Sequence, residues 1–184
     1  MEDYRKKIKD LSSLKKEVAV LKARGKRIVF TNGCFDLLHR GHVRYLEEAR
    51  DWGDILVVAV NSDHSVRQIK GPSRPILNQE ERSEVLAALH CVDVVIIFEE
   101  PDPLAVIEQI RPDVLVKGAD WSRNQIIGAD FVESIGGRVV QVPFLKGAST
   151  TGIIERIVAN CLGRHRSGES TDRGGALSWR DDDG

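Results

Sequence analysis

The 184-residue sequence predicts one α/β domain, a doubly wound parallel sheet of five strands with helices on both faces. Three observations carry that expectation. Short β-branched runs recur at 27–31, 55–60, 93–98, 113–116 and 138–142, apolar almost throughout, as strands buried on both faces require. Amphipathic stretches long enough for crossovers separate them, and parallel neighbours need such crossovers, connected right-handedly. Hydrophobic residues make up 41%, enough for one core at a length where folding buries roughly 70% of the unfolded surface.

Each element has its own signal. Residues 1–26 lead in with a basic amphipathic helix: Leu11, Leu14, Val18 and Leu21 form one stripe, predicting a helix from about Ser13 to Arg24 with Gly25 as C-cap. Ten Lys or Arg against four Asp or Glu fall in the first 27 residues. The helix packs on the domain or on a second copy in a homodimer, its lysines in solvent; the alternative is a basic face that guides an anionic substrate. After the first strand, Val43, Leu46 and Ala49 mark a helix over 41–52 that stops at Gly53. Asn78 and Glu81 are spaced as a capping pair for a helix from Gln79 to Leu89. Asp102-Pro103 opens another that ends at Ile110, while 122–135 fits neither period. A last helix, about Ser149 to Leu162, completes a domain over 27–162. The remaining 22 residues hold five Gly and only Ala176, Leu177 and Trp179 as apolar residues, which predicts a disordered tail over 163–184. The whole is a Rossmann-like arrangement.

Composition narrows the function. With 27 basic and 28 acidic residues the formal charge is -1, which removes the electrostatic case for nucleic-acid binding. No apolar run approaches the roughly 20 residues of a membrane helix, and no apolar segment follows the N-terminal charges as a secretory signal demands. Cys34, Cys91 and Cys161 are odd in number and lack C-x-x-C spacing, so they read as thiols in a reducing compartment rather than a disulfide framework or zinc cluster. The expectation is a cytoplasmic globular protein. No G-x-G-x-x-G follows the first strand and no P-loop occurs, which disfavours a dehydrogenase and a P-loop ATPase.

In open parallel sheets ligands bind beyond the carboxyl ends of the strands. The first strand exits into Thr31-Asn-Gly-Cys-Phe-Asp-Leu-Leu-His39-Arg-Gly41-His42. Gly33 permits a tight turn that brings backbone N–H groups toward an anion. His39 and His42 flank Gly41 where a helix begins, and helix amino ends favour phosphate. Two imidazoles there supply two donors to one phosphate, and Gly41 lets it approach the backbone. A zinc site on the same histidines lacks a nearby third ligand; simple capping is the other alternative.

This segment, with Asn61-Ser-Asp63, Lys70-Gly71, Arg74-Pro75, Glu81-Arg82, Val116-Lys-Gly-Ala-Asp-Trp121 and Gly147-Ala-Ser-Thr-Thr151 in that order, resembles the H-x-G-H nucleotidyltransferase superfamily, also called cytidylyltransferase-like. Within it the sequence is most similar to the adenylyltransferases of D-glycero-β-D-manno-heptose 1-phosphate, which serve lipopolysaccharide-core synthesis, and the likeness covers about residues 11–162. It implies AMP transfer from ATP to the sugar 1-phosphate with release of pyrophosphate, aided by Mg²⁺ held mainly by the ATP phosphates. Many such modules are fused behind a sugar kinase; the likeness here is to the stand-alone form, with a separate kinase upstream.

The resemblance also implies roles. Asn32, Gly33, Cys34 and Phe35 cradle the nucleotide through backbone groups, and His39, Gly41 and His42 meet its phosphates. Lys70, in a loop after the second strand, reaches the phosphates. Arg74 and Arg82 are further cationic candidates, although Arg82 on a helix also fits a surface ion pair. Lys117, Gly118 and Asp120 border the base and the acceptor, and Ser149, Thr150 and Thr151 bind phosphate or cap the last helix. Asp36 touches the acceptor sugar or holds its own loop, and Asp63 caps the following helix. One departure bears on the nucleotide: related cytidylyltransferases carry Arg-Thr-x-Gly-Ile-Ser-Thr-Thr, whereas residues 144–151 read Phe-Leu-Lys-Gly-Ala-Ser-Thr-Thr. The missing Arg-Thr favours ATP over CTP. The rivals are a cytidylyltransferase of the glycerol 3-phosphate type, an adenylyltransferase for another phosphorylated acceptor, and a non-catalytic nucleotide-binding module.

Overall fold

Asp10, not a residue near Ser13, starts the first helix: its carboxylate accepts the Ser13 N–H at 2.8 Å and caps α1 (Leu11–Ala23). The computed structural model describes residues 3–119, 121–143, 145 and 147–166, with the side chains of 163–166 left aside. These divide into a unit that runs through Thr150 and a second that begins at Thr151.

In the first unit the strands are β1 (Ile28–Gly33), β2 (Ile55–Asn61), β3 (Val94–Phe98), β4 (Val114–Gly118) and β5 (Arg138–Val142). They pair in the order β3-β2-β1-β4-β5, all parallel. The doubly wound sheet read from the sequence is therefore the one that forms. Successive strand residues serve opposite layers. Ile28 and Phe30 join Leu14 and Val18 of α1, Val106 and Ile107 of α5 (Leu104–Ile110) and Val132 of α6 (Ala129–Ser134). Val29, Leu56 and Val58 join Leu46 and Ala49 of α2 (Arg40–Arg50) and Leu86 of α4 (Gln79–Ala87). The amphipathic N-terminal helix thus packs on its own domain.

Caps explain most boundaries. Asn78 and Glu81 form the predicted reciprocal capping box on α4. Asp102 accepts the Leu104 N–H at 3.0 Å, and Pro103 sits one place before the first helical residue. Ser62 caps α3 (Asp63–Lys70) by accepting the Ser65 N–H, so the expected cap, Asp63, is instead the first residue inside. Consequently Lys70 ends a helix rather than lying in a loop. Short 3-10 turns occupy 4–7 and 123–125.

At the amino ends of the strands aspartates take up backbone donors. Asp54 accepts from Arg27 N, Asp113 from Ile28 N and Asp93 from Leu56 N, all within 2.8 Å. At the β3 rim, Ile8 bridges to Val95 and Lys9 N donates to Val95 O at 2.9 Å. Tyr4 Oη and Arg5 Nε both donate to Glu84, which pins this lead-in segment to α4.

Gly53 follows α2 where β1 leaves no room: a Cβ there would lie 2.6 Å from Val29 Cγ2 and 2.8 Å from Arg27 O. Gly53→Ala is expected to cost about 1–3 kcal/mol through overpacking. Urea unfolding of the two proteins checks this, and an unchanged midpoint would refute the fit.

Helix α7 spans Thr150–Arg166. It extends four residues past Leu162, so 163–166 are helical rather than part of a tail; residues 167–184 of the expected tail lie outside the described residues.

Candidate active site

The chain leaves β1 toward β2 and enters β4 from β3, so the winding reverses between β1 and β4. Ligands of open sheets sit at that switch point, beyond the carboxyl ends. Asn32 on β1 and Lys117 on β4 meet there, the Lys117 ammonium donating to Asn32 Oδ1. Gly118 ends β4 beside them and is buried. Beneath, the Tyr45 hydroxyl joins the same strands, donating to Val116 O at 3.1 Å and lying 2.7 Å from Thr31 Oγ1.

The loop from β1 to α2 is held from several sides. Phe35 is buried with φ 45°, a left-handed conformation that costs a non-glycine residue free energy. The expected turn at Gly33 therefore falls at Phe35. Gly33 is needed for space: a Cβ would lie 3.1 Å from the Phe35 ring. Asp36 is 3% exposed and accepts from Arg74 Nε at 2.5 Å, Ile76 N at 2.7 Å and Leu77 N at 3.1 Å. Of the two readings of Asp36, loop anchoring is what the geometry supports, and Arg74 is its ion-pair partner.

Arg82 is neither a surface ion pair nor a free cation. It is 1% exposed and donates to Cys34 O at 2.5 Å, Leu77 O at 3.0 Å and Asp63 at 2.7 Å. One guanidinium thus fastens the β1 loop, the segment before α4 and the start of α3.

His39 caps α2: its Nδ1 accepts the Gly41 N–H at 3.1 Å. In the neutral ring that bond places the proton on Nε2. His42 stacks on it, centroids 3.9 Å apart and planes 15° apart, while Phe35 meets His42 edge-on at 5.4 Å. Burial, and then the neighbouring His39, push His42 down to about 4; burial also lowers His39. Both rings are neutral near pH 7. Buried His42 Nδ1 has no partner among the described residues. A Cβ on Gly41 would lie 3.0 Å from both the His39 ring and Ala148 Cβ, so glycine here lets the 147–150 segment close on the histidines. Thr150 Oγ1 donates to Leu37 O at 3.4 Å.

The Cytidylyltransferase-like family matches residues 30–156, from Phe30 in β1 to Arg156 in α7. The chain belongs to the cytidylyltransferase-like family. The Bifunctional protein HldE of Geobacter sulfurreducens is 55% identical over 152 residues, 83% of this chain and 31% of that protein. The HldE of Geotalea uraniireducens is 57% identical over 151 residues, covering 82% and 31%. The chain thus spans about a third of the length of the curated relatives it matches. Among solved structures, the lipopolysaccharide core biosynthesis protein from Thermoplasma volcanium is similar at 31% identity and a TM-score of 0.54, covering 67% of this chain and all of that one.

Within this cytidylyltransferase-like domain the fold gathers Asn32, Gly33, Phe35, His39, Gly41, His42, Lys117 and Gly118 around one switch point. Lys70 is exposed at the end of α3, and its charge is the strongest of those that oppose the upward push of burial on the Cys34 thiol. Ser149 is exposed in the segment that precedes α7. Thr151 opens the second unit, and Asp120 lies outside the described residues. The residues the sequence undervalued are Arg82 and Asp36, whose buried charges show only once their partners are in place.

The lowered His42 makes stability depend on pH. Its folded value lies below the unfolded value of 6.5, so between the two the unfolded chain binds more protons. Stability is full above about pH 6.5 and declines as pH falls toward 4, by about 3 kcal/mol for this ring. Urea unfolding of wild type and His42→Phe at pH 7 and pH 4.5 should show a smaller pH-dependent loss in the variant. Equal losses would refute the assignment.

Proposed function

We propose that this chain transfers AMP from ATP to D-glycero-β-D-manno-heptose 1-phosphate, releasing pyrophosphate and forming ADP-heptose. The observation that carries the reading is the stacked, neutral His39–His42 pair at the amino end of α2, beside the β1–β4 switch point. Relatives named HldE at 55–57% identity over this domain and a lipopolysaccharide core biosynthesis protein support the substrate class.

The acceptor phosphate needs no general base. A phosphate monoester has a second pKa of about 6 and is largely ionised at neutral pH. One of its oxygens attacks the α-phosphorus of ATP; the new P–O bond forms as the bond to pyrophosphate breaks, and the electron pair leaves with pyrophosphate. What the protein must do is position two anions and stabilise charge on the transferring group. His39 Nε2–H and the His42 ring offer neutral donors, His42 held down to about 4 and His39 lowered by burial, and the positive end of the α2 dipole lies beside them. Gly33 and Phe35 shape the backbone cradle, and Lys70 balances charge at its edge.

Among the described residues no three of His, Cys, Asp and Glu cluster as metal ligands, and the Asp36 carboxylate is already committed to Arg74 and two backbone donors. This donor set fits an ion that arrives on the triphosphate, as Mg²⁺ usually does. Bound there, Mg²⁺ would offset phosphate charge. No described helix is long and apolar enough to cross a membrane, and every substrate in this reading is water-soluble. In this reading the acceptor is supplied by a separate sugar kinase acting at the anomeric hydroxyl.

Pyrophosphate release is the test, with ATP or CTP against the heptose 1-phosphate and other sugar phosphates. Release with ATP and the heptose is expected. Release only with CTP overturns the nucleotide, release only with another acceptor overturns the sugar, and no release overturns the enzymatic reading.

A further inference from the structure

A groove of about 490 Å³ opens at the amino ends of the strands, on the rim opposite the histidines. The five steps of β1 from Ile28 to Gly33, at roughly 3.3 Å each, put it roughly 17 Å from the switch point. Its walls include Lys22 from the end of α1, Lys26 and Arg27 before β1, Trp52 after α2, Asp113 before β4 and Arg138 on β5.

The charge there is unbalanced. Lys22 is paired with Asp113 at 3.0 Å and also donates to Arg111 O. Lys26 is paired with Asp54 at 3.2 Å. Among the described residues Arg27 and Arg138 form no ion pair with a carboxylate. The two are nevertheless placed. Arg27 runs its stem along Gly53, its Cγ 3.2 Å from where a Cβ would stand. Arg138 lies over the Trp52 ring, 5.6 Å from its centroid. A guanidinium on an indole face engages through its π surface and keeps its in-plane N–H donors for an acceptor.

We propose that this groove binds a diphosphate group, free or carried on a nucleoside, between Arg27 and Arg138 with Lys26 at the margin. β1 and β5 are separated by β4, so the two arginines spring from backbones roughly 10 Å apart. Two planar forks at that spacing suit two phosphoryl groups, since each fork can take a bidentate pair. A single phosphate leaves one fork unused. The site is distinct from the residues assigned to AMP transfer, all of which lie at the carboxyl ends.

The test follows the Trp52 indole N–H by NMR in ¹⁵N-labelled protein, assigned with a Trp52→Phe variant. Inorganic pyrophosphate and ADP are titrated separately at constant ionic strength, with sodium chloride as control. Both should shift Trp52 saturably, and an Arg27→Ala/Arg138→Ala variant should weaken that response by about tenfold or more. Arg138→Lys, which keeps the charge but not the fork, should weaken it as well. A larger shift with ADP marks base contact with the indole, and equal shifts mark the diphosphate alone; either supports the site. A Trp52 signal that is silent, that responds equally to chloride, or that responds unchanged in the double variant overturns it. The readout reports on Trp52 alone, so its failure leaves the catalytic reading standing.

Discussion

His42→Ala is expected to transfer AMP about a hundred- to a thousandfold more slowly than wild type, the effect of removing one preorganised donor, about 3–4 kcal/mol. The loss should fall on kcat, with KM for ATP changed little, because charge on the transferring phosphate grows toward the transition state. The stacking of His42 on His39 at 3.9 Å and its edge contact with Phe35 fix the ring before substrate arrives, and that preorganisation is what alanine removes. Since His42 is held down to about 4, wild-type kcat should show no His42 step between pH 6 and 8. A neutral N–H donor in its place, His42→Gln, should recover part of the rate. Steady-state pyrophosphate release, with circular dichroism to verify folding, decides the matter. A folded His42→Ala enzyme within tenfold of wild type would refute the role.

Arg82→Met should destabilise the fold by about 3–5 kcal/mol, the usual cost of removing one member of a buried charged network. The side chain is 1% exposed and serves Cys34 O, Leu77 O and Asp63 together. Methionine fills much of the volume yet strands the carboxylate and both carbonyls. Arg82→Lys should not restore stability, because one ammonium cannot reproduce a planar fork with three separate acceptors. It should also lower kcat, since the Cys34 carbonyl belongs to the loop that carries Phe35 toward His42. Urea unfolding measures the first effect. A midpoint for Arg82→Met close to wild type would show that the network contributes little.

The sheet was legible because its strands are apolar on both faces, a signal that survives in one sequence. The histidines were legible for a different reason: H-x-G-H at the junction of a strand exit and a helix start is a local pattern. Longer-range features were not. Arg82 and Asp63 are 19 positions apart, and Asp36 meets Arg74 across 38; a charge on a helix looks solvated until its distant partner is known. A helix was expected after Asp63, but its reach to Lys70 was missed because eight residues with Val66 and Ile69 as the only large apolar side chains give a weak period. The turn at Phe35 was assigned to Gly33 because left-handed backbone is ordinarily glycine's territory, and packing around a buried aromatic overrode that preference. Residues 163–166 looked like tail because Gly163 opens a polar stretch, yet α7 carries on through them.

The lead-in segment along β3 has a consequence for crowded solutions. With Ile8 bridged to Val95, the backbone donors and acceptors at that rim are partly taken, whereas β5 at the other rim pairs only with β4 among the described residues. A second copy adding a strand along β3 would first have to displace Ile8 and Lys9 from Val95, so the lead-in segment works against edge-to-edge association at that rim.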